Sequence, residues 1–180
     1  MSSSTGFNAT MMEDIAKAAH ISKGLIYHYF DSKDELFTTL VKRAMEGAIK
    51  LIRSASTRSD SPWDRLHWLI AEIITRAQQN PEEFLVIMQA YTTDAVPEDV
   101  RTMAIQYTMT SSQTIRELIA EGQAVNQIIP GDPDKQAMTL TACLHGLVLN
   151  AIVPIYQISD LLDVDIVLDM LKAEKGSEKE

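Results

Sequence analysis

Three helix starts are crowded into the chain ahead of Leu36, and that crowding constrains the fold more than any other feature. Thr10-Met11-Met12-Glu13 places a hydroxyl at an N-cap and a carboxylate three residues on, a capping box. The helix it predicts carries Ile15, Ala16 and Ala19 on one face and ends near Ala19. His20-Ile21-Ser22 is a tight break, and Ser22 caps a second short helix from Lys23 to about Phe30. Asp31-Ser32 interrupts again. Ser32-Lys33-Asp34-Glu35 is a second capping box. It opens a long helix with Leu36, Phe37, Leu40, Val41, Ala44, Ala48 and Leu51 at helical spacing, ending near Ser54. Two short helices with so few residues between them form a helix-turn-helix pattern.

Helical signals continue, and no alternating run bounded by hairpin turns interrupts them. Ser54 to Ser61 is polar and rich in small residues, so it reads as a linker between a head, residues 1–54, and a body, residues 55–180. In the body, Pro62 suits a first helical turn, and that helix runs to about Gln79. Asn80-Pro81 breaks it, and the next helix reaches about Thr93. Pro97 opens another, to about Glu121, with Gly122 as its stop. Ile129-Pro130-Gly131-Asp132-Pro133 is a firm turn, from which Asp132 caps a helix to about Ile158; a last helix covers Val164 to Glu174. The expected class is all-α: a helix-turn-helix head plus a helical body.

With 180 residues and 46% hydrophobic content, the chain has material for a sizeable core. Its single cysteine, Cys143, excludes a disulfide framework and a multi-cysteine zinc site, which fits a reducing cytoplasm. The N-terminus lacks the features of a signal peptide. The most apolar stretch, Leu144 to Ile158, contains His145, Asn150 and Pro154 and is too short and polar to span a bilayer, so no membrane partner is expected.

In a helix-turn-helix the second helix enters the major groove of double-stranded DNA, N-terminal residues toward the bases. Ile26, Tyr29 and Phe30 are placed to anchor that helix, leaving Lys23, Gly24, Tyr27 and His28 on the other side. Gly24 lets the helix start approach the duplex closely, and Tyr27 can donate to a phosphate. Lys23 and Lys33 stand beside helix N-termini, which themselves attract anions. The net charge of −9 argues against non-specific nucleic-acid binding. It is unevenly spread: residues 1–55 hold seven Lys/Arg against six Asp/Glu, and residues 56–180 hold nine against nineteen.

Gly6 to Ala19, Ile21 to Phe30 and Ser32 to Leu36, taken in order, closely resemble the head of the TetR family of transcriptional regulators. The resemblance implies a homodimeric repressor that leaves its operator when a small molecule binds its C-terminal helical domain. It further implies that Thr10 contacts a phosphate, that Lys23, Gly24, Leu25, Tyr27 and His28 face DNA, and that Lys33 contacts it from the start of the long helix. Three departures stand out. Only Met1 to Thr5 precede Gly6, where such heads begin with another helix, so the apolar faces around Phe7, Ile15 and Phe37 are expected to be uncovered. His20 stands at a turn position that usually carries glycine. Leu25 replaces a small hydroxyl residue, though it can touch a thymine methyl.

Ala137 to Leu149 is more loosely similar to the family's penultimate helix, and it is apolar nearly all round. A helix buried on every side needs a large core or a partner. Ala142, Gly146 and Asn150 lie four apart, so two backbones can approach there. A homodimer interface is expected from Ala142, Gly146 and Leu149 with Ile166, Val167 and Met170 of the last helix. Nine methionines, among them Met88 and Met103, accompany Tyr91 and Tyr107 and suit an adaptable apolar cavity. His145 and Asn150 are candidates to orient a largely apolar small-molecule effector. No cofactor and no metal are expected. A helical-bundle metalloenzyme needs paired Glu-x-x-His motifs, and Asp64-x-x-His67 is the nearest approach. Cys143 and His145, two apart on a helix, point in different directions. The alternative is a regulatory dimer that acts through protein contacts without DNA.

Overall fold

The computed structural model describes residues 10–92, 96–152 and 163–173, and for residues 91, 92, 151 and 152 the backbone alone. Eight helices stand in these segments: α1 (Met12–Ala18), α2 (Lys23–Tyr29), α3 (Lys33–Thr57), α4 (Pro62–Gln79), α5 (Pro81–Thr92), α6 (Glu98–Ala124), α7 (Pro133–Ile152) and α8 (Val164–Asp169). Among the described residues the chain is all-α, apart from one antiparallel bridge between Ile128 and Lys172.

The expected caps at Ser22 and Ser32 form. Their hydroxyls accept from the N–H groups of Leu25 and Glu35, each at 3.1 Å. The first capping box is displaced by one residue. Met11 is the N-cap of α1, and its N–H donates to Asp14 at 3.1 Å. Glu13, the expected partner, instead holds Lys23 of α2.

The α1–α2 turn closes as a Schellman motif. Ile21 N–H reaches Ala16 O at 3.0 Å and His20 N–H reaches Lys17 O at 3.2 Å. His20 carries φ 55°, the left-handed conformation anticipated for it. His20→Gly is expected to raise stability by about 1 kcal/mol, relief of left-handed strain outweighing glycine's extra unfolded-state entropy. A thermal melt measures it, and a lower midpoint would mean that the imidazole makes a stabilising contact.

Three other boundaries differ from expectation. α3 continues past Ser54 to Thr57, with the hydroxyls of Ser54, Ser56 and Thr57 turned back to carbonyls four residues earlier at 2.9, 3.2 and 3.1 Å. Arg65 then takes the carbonyls of Ala55 and Ser56 at 2.9 and 3.0 Å. α6 passes through Gly122 and ends at a second left-handed residue, Asn126, φ 57°. Gly122 serves packing rather than termination, since a Cβ there would lie 2.6 Å from Ile128 Cδ1. α8 stops at Asp169, and the chain then pairs with the α6–α7 turn, Ile129 N–H to Leu171 O at 2.9 Å and Ala173 N–H to Gln127 O at 3.1 Å. The expected extension of α7 to Ile158 lies outside the described residues.

Three apolar clusters hold the fold. Leu66, Leu69 and Ile70 of α4, Leu118 and Ile119 of α6, Leu140 and Leu144 of α7, and Leu168 beyond them form the largest. Phe37, Val41 and Met45 of α3 pack with Ala90, Val96, Val100 and Ala104 in the second. The head contributes Met12, Ala16 and Ile26, with Ile15, Phe30 and Leu36 against them. α3 has residues in or against all three. Phe37, expected to be uncovered, is 6% exposed because the body covers it. Phe7 lies outside the described residues.

Candidate functional site

The second helix of the motif turns Ile26 into the head cluster and leaves Leu25 and Tyr27 exposed. Tyr29, expected as an anchor, is 67% exposed, and Ile26 and Phe30 are the residues of this helix end that pack in the head cluster. Its ring meets the His28 ring edge-on at 5.1 Å. Gly24 faces open space, with nothing within 4 Å of a Cβ built on it. α2 therefore presents Lys23, Gly24, Leu25, Tyr27 and His28 outward at its start and middle. Lys23 is paired with Glu13, and this carboxylate raises the Lys23 pKa above its ordinary value. The ammonium also lies 5.9 Å from the Tyr27 ring centre. Thr10, half-buried, precedes the N-cap of α1, and Lys33, half-buried, is the first residue of α3.

A second site lies in the body, where α3, α4, α5 and α6 enclose a partly open chamber of about 90 Å³. Ala48 and Leu51, Ile73, Phe84 and Ile87, and Ile115 give it apolar walls. Four of its polar side chains are Arg76, Glu83, Tyr107 and Ser111. Arg76 Nη2 donates to Glu83 at 3.1 Å across the Asn80-Pro81 corner. Its guanidinium rests over Gly47 of α3, where a Cβ would stand 2.3 Å from Nη2. Burial pushes the Tyr107 phenol up from its usual pKa, opposed by a hydrogen bond with Ser111 and by the Arg76 charge. The phenol is protonated at neutral pH.

The expected effector residues divide. Tyr107 lines the chamber, whereas Met103 lines an adjoining groove between α3 and α6. His145 lines a cleft between α6 and α7, and its ring meets Phe84 edge-on at 5.4 Å, so Phe84 stands between it and the chamber. Burial lowers the His145 pKa. Met88 is half-buried on α5 outside the chamber lining. Asn150 is exposed and donates to Gly146 O of its own helix at 2.8 Å. The Tyr91 side chain lies outside the described residues. Arg76, Glu83, Phe84 and Ser111 were not anticipated. The signal for the first two was a cation and a carboxylate flanking one helix break.

Met138 and Ala142 of α7, both exposed, line the same cleft as His145; Leu149 is exposed further along that side, and a Cβ on Gly146 would meet nothing within 4 Å. Ile166 and Met170 are 73% and 45% exposed. Val167, expected among them, is instead 5% exposed and belongs to the main core with Leu168 and Leu171. Near α8, His67 meets Asp165 at 3.1 Å. Among the described residues no helix is long and apolar enough to cross a membrane.

Head and body together define a helix-turn-helix protein with an all-helical, chambered body. Residues 3–40 match the family model for bacterial regulatory proteins, tetR family. Over 93 residues the chain is 28% identical to the biofilm operon icaADBC HTH-type negative transcriptional regulator IcaR of Staphylococcus aureus (strain Newman), covering 46% of this chain and 50% of that protein. The ketosteroid transcriptional regulator KstR2 of Mycobacterium tuberculosis superposes with a TM-score of 0.79 at 18% identity, over 94% of this chain and 88% of that one. AibR in complex with isovaleryl coenzyme A and operator DNA superposes with a TM-score of 0.67 at 19% identity, over 91% and 85%. The chain spans half the length of IcaR.

Proposed function

We propose that this chain is a homodimeric transcriptional repressor that binds an operator through α2 and releases it when a largely apolar small molecule fills the body chamber. The observation that carries this reading is the outward surface of α2, where Gly24 faces open space between Lys23 and Tyr27, with Ile26 anchored behind. The family match falls on this head, which favours DNA reading over action by protein contacts alone. IcaR is named a negative regulator, and AibR is seen with both an acyl thioester and operator DNA, so repression and effector control extend naturally to this chain. On binding, Lys23 exchanges Glu13 for a phosphate, while Thr10 and Lys33 contact the backbone from the starts of α1 and α3.

Fluorescence anisotropy with duplexes from the region upstream of its own gene tests the reading. Sequence-dependent binding that weakens steeply with salt is expected. Equal, weak affinity for every duplex would overturn it.

The dimer is assigned to the exposed apolar stripe of Met138, Ala142, Gly146 and Leu149 on α7, with Ile166 of α8 and Met170 just past its end. Gly146 leaves room for a second backbone. Gly146→Leu is expected to raise the dimer dissociation constant at least about tenfold by overpacking that contact. Sedimentation velocity reads the change, and an unaltered dimer mass at low concentration would place the interface elsewhere.

A further inference from the structure

We infer that the chamber selects neutral carbonyl compounds, with an apolar body against its walls and one oxygen held by Arg76 and the Tyr107 hydroxyl; this rests on the reading of the chamber as the effector site. The walls from α3 to α6 are apolar, so the body of a ligand gains by burial there. The polar groups decide its head. Guanidinium presents five N–H donors in a plane, and among the described residues the hydrogen-bond acceptor for Arg76 is Glu83, reached from Nη2. Gly47 lets the guanidinium approach α3 closely at the chamber wall, where a side chain would displace it. Tyr107 retains its proton, and its hydroxyl can exchange the Ser111 hydrogen bond for one to a ligand oxygen. Donors therefore outnumber acceptors on this wall, and an oxygen acceptor satisfies them.

Charge then discriminates among acceptors. Arg76 and Glu83 cancel, so the wall is neutral as built. A carboxylate head brings a second anion beside Glu83 inside an apolar enclosure, in a chain of net charge −9. A hydrocarbon leaves the Arg76 donors that Glu83 does not take without a partner once water is displaced. A ketone, aldehyde or ester meets neither difficulty.

Acetophenone, benzoate and ethylbenzene share a ring and nearly the same size, and differ in the head alone. Isothermal titration of the full chain is expected to give acetophenone an affinity about tenfold above either of the others, the value of one buried hydrogen bond. Tyr107→Phe should reduce that margin while leaving ethylbenzene unchanged. Glu83→Gln removes the counter-charge and should turn the preference toward benzoate. Equal affinities for acetophenone and ethylbenzene, or a wild-type preference for benzoate, would overturn the head-group assignment and leave the chamber reading intact. Binding of none of the three would overturn the chamber as an effector site as well.

Discussion

Replacing Gly24 by leucine is expected to cost about a hundredfold in operator affinity, roughly 2.7 kcal/mol, while the melting temperature holds or rises. The two effects have opposite signs because they act on different neighbours. Within the chain nothing lies within 4 Å of a Cβ at position 24, so the new side chain strains no contact of the folded head. Leucine also forms helix more readily than glycine, by up to about 0.8 kcal/mol. Against DNA the same side chain projects from the first turn of α2, the part of a reading helix that lies nearest the bases. There it would hold the helix away from the groove floor and lengthen the phosphate contacts proposed for Lys23 and Tyr27. Anisotropy against the operator and a thermal melt on the same preparation measure both quantities. Retained affinity would remove α2 from the groove; a large fall in the midpoint would show instead that the head had been disrupted.

Leu118→Ala is expected to destabilise the chain by about 3–5 kcal/mol, the range for a leucine truncated in a core that closes only partly around the void. Leu118 is 1% exposed and sits in the main cluster on α6, where α4 and α7 also converge. For a chain of this size the midpoint should fall by about 10 °C, if protomer concentration is held fixed. Urea unfolding followed by circular dichroism gives the free energy. A change below about 1 kcal/mol would mean that α6 is not the packing hub, since surface substitutions are of that order.

The head was legible wherever a residue acts on its own neighbours in sequence. Ser22 and Ser32 cap helices because their hydroxyls reach N–H groups three residues on, and that reach is written in the spacing. His20 adopts its left-handed turn for a similarly local reason. The first capping box shows where local reading fails. Glu13 and Asp14 are adjacent carboxylates, either of which can close a box, and Lys23 on the next helix takes Glu13 and leaves Asp14 to cap α1. The polar stretch after Ser54 misled because serine and threonine also hydrogen-bond backward within a helix, and because Arg65, distant in sequence, completes the end of α3. Tyr29 and Val167 exchanged places with expectation for one reason. Periodicity says that a face is apolar, but the neighbouring helices decide which members of it find a cavity. The chamber was the least legible feature. Its polar wall joins Arg76, Glu83 and Tyr107 from three helices, and no period links them.

The unbroken run of α3 from Lys33 to Thr57 has a consequence for how two such heads would share one operator. A head on a flexible tether searches a volume, and its partner's binding raises its effective concentration to the millimolar range at any half-site spacing the tether can span. A head fixed to a helix embedded in the body has no such search to make. Its orientational entropy is spent on folding, so the second half-site is engaged at little further cost when the spacing matches, and hardly at all when it does not. In the proposed dimer, rigid mounting would turn the distance between half-sites into part of the address that is read.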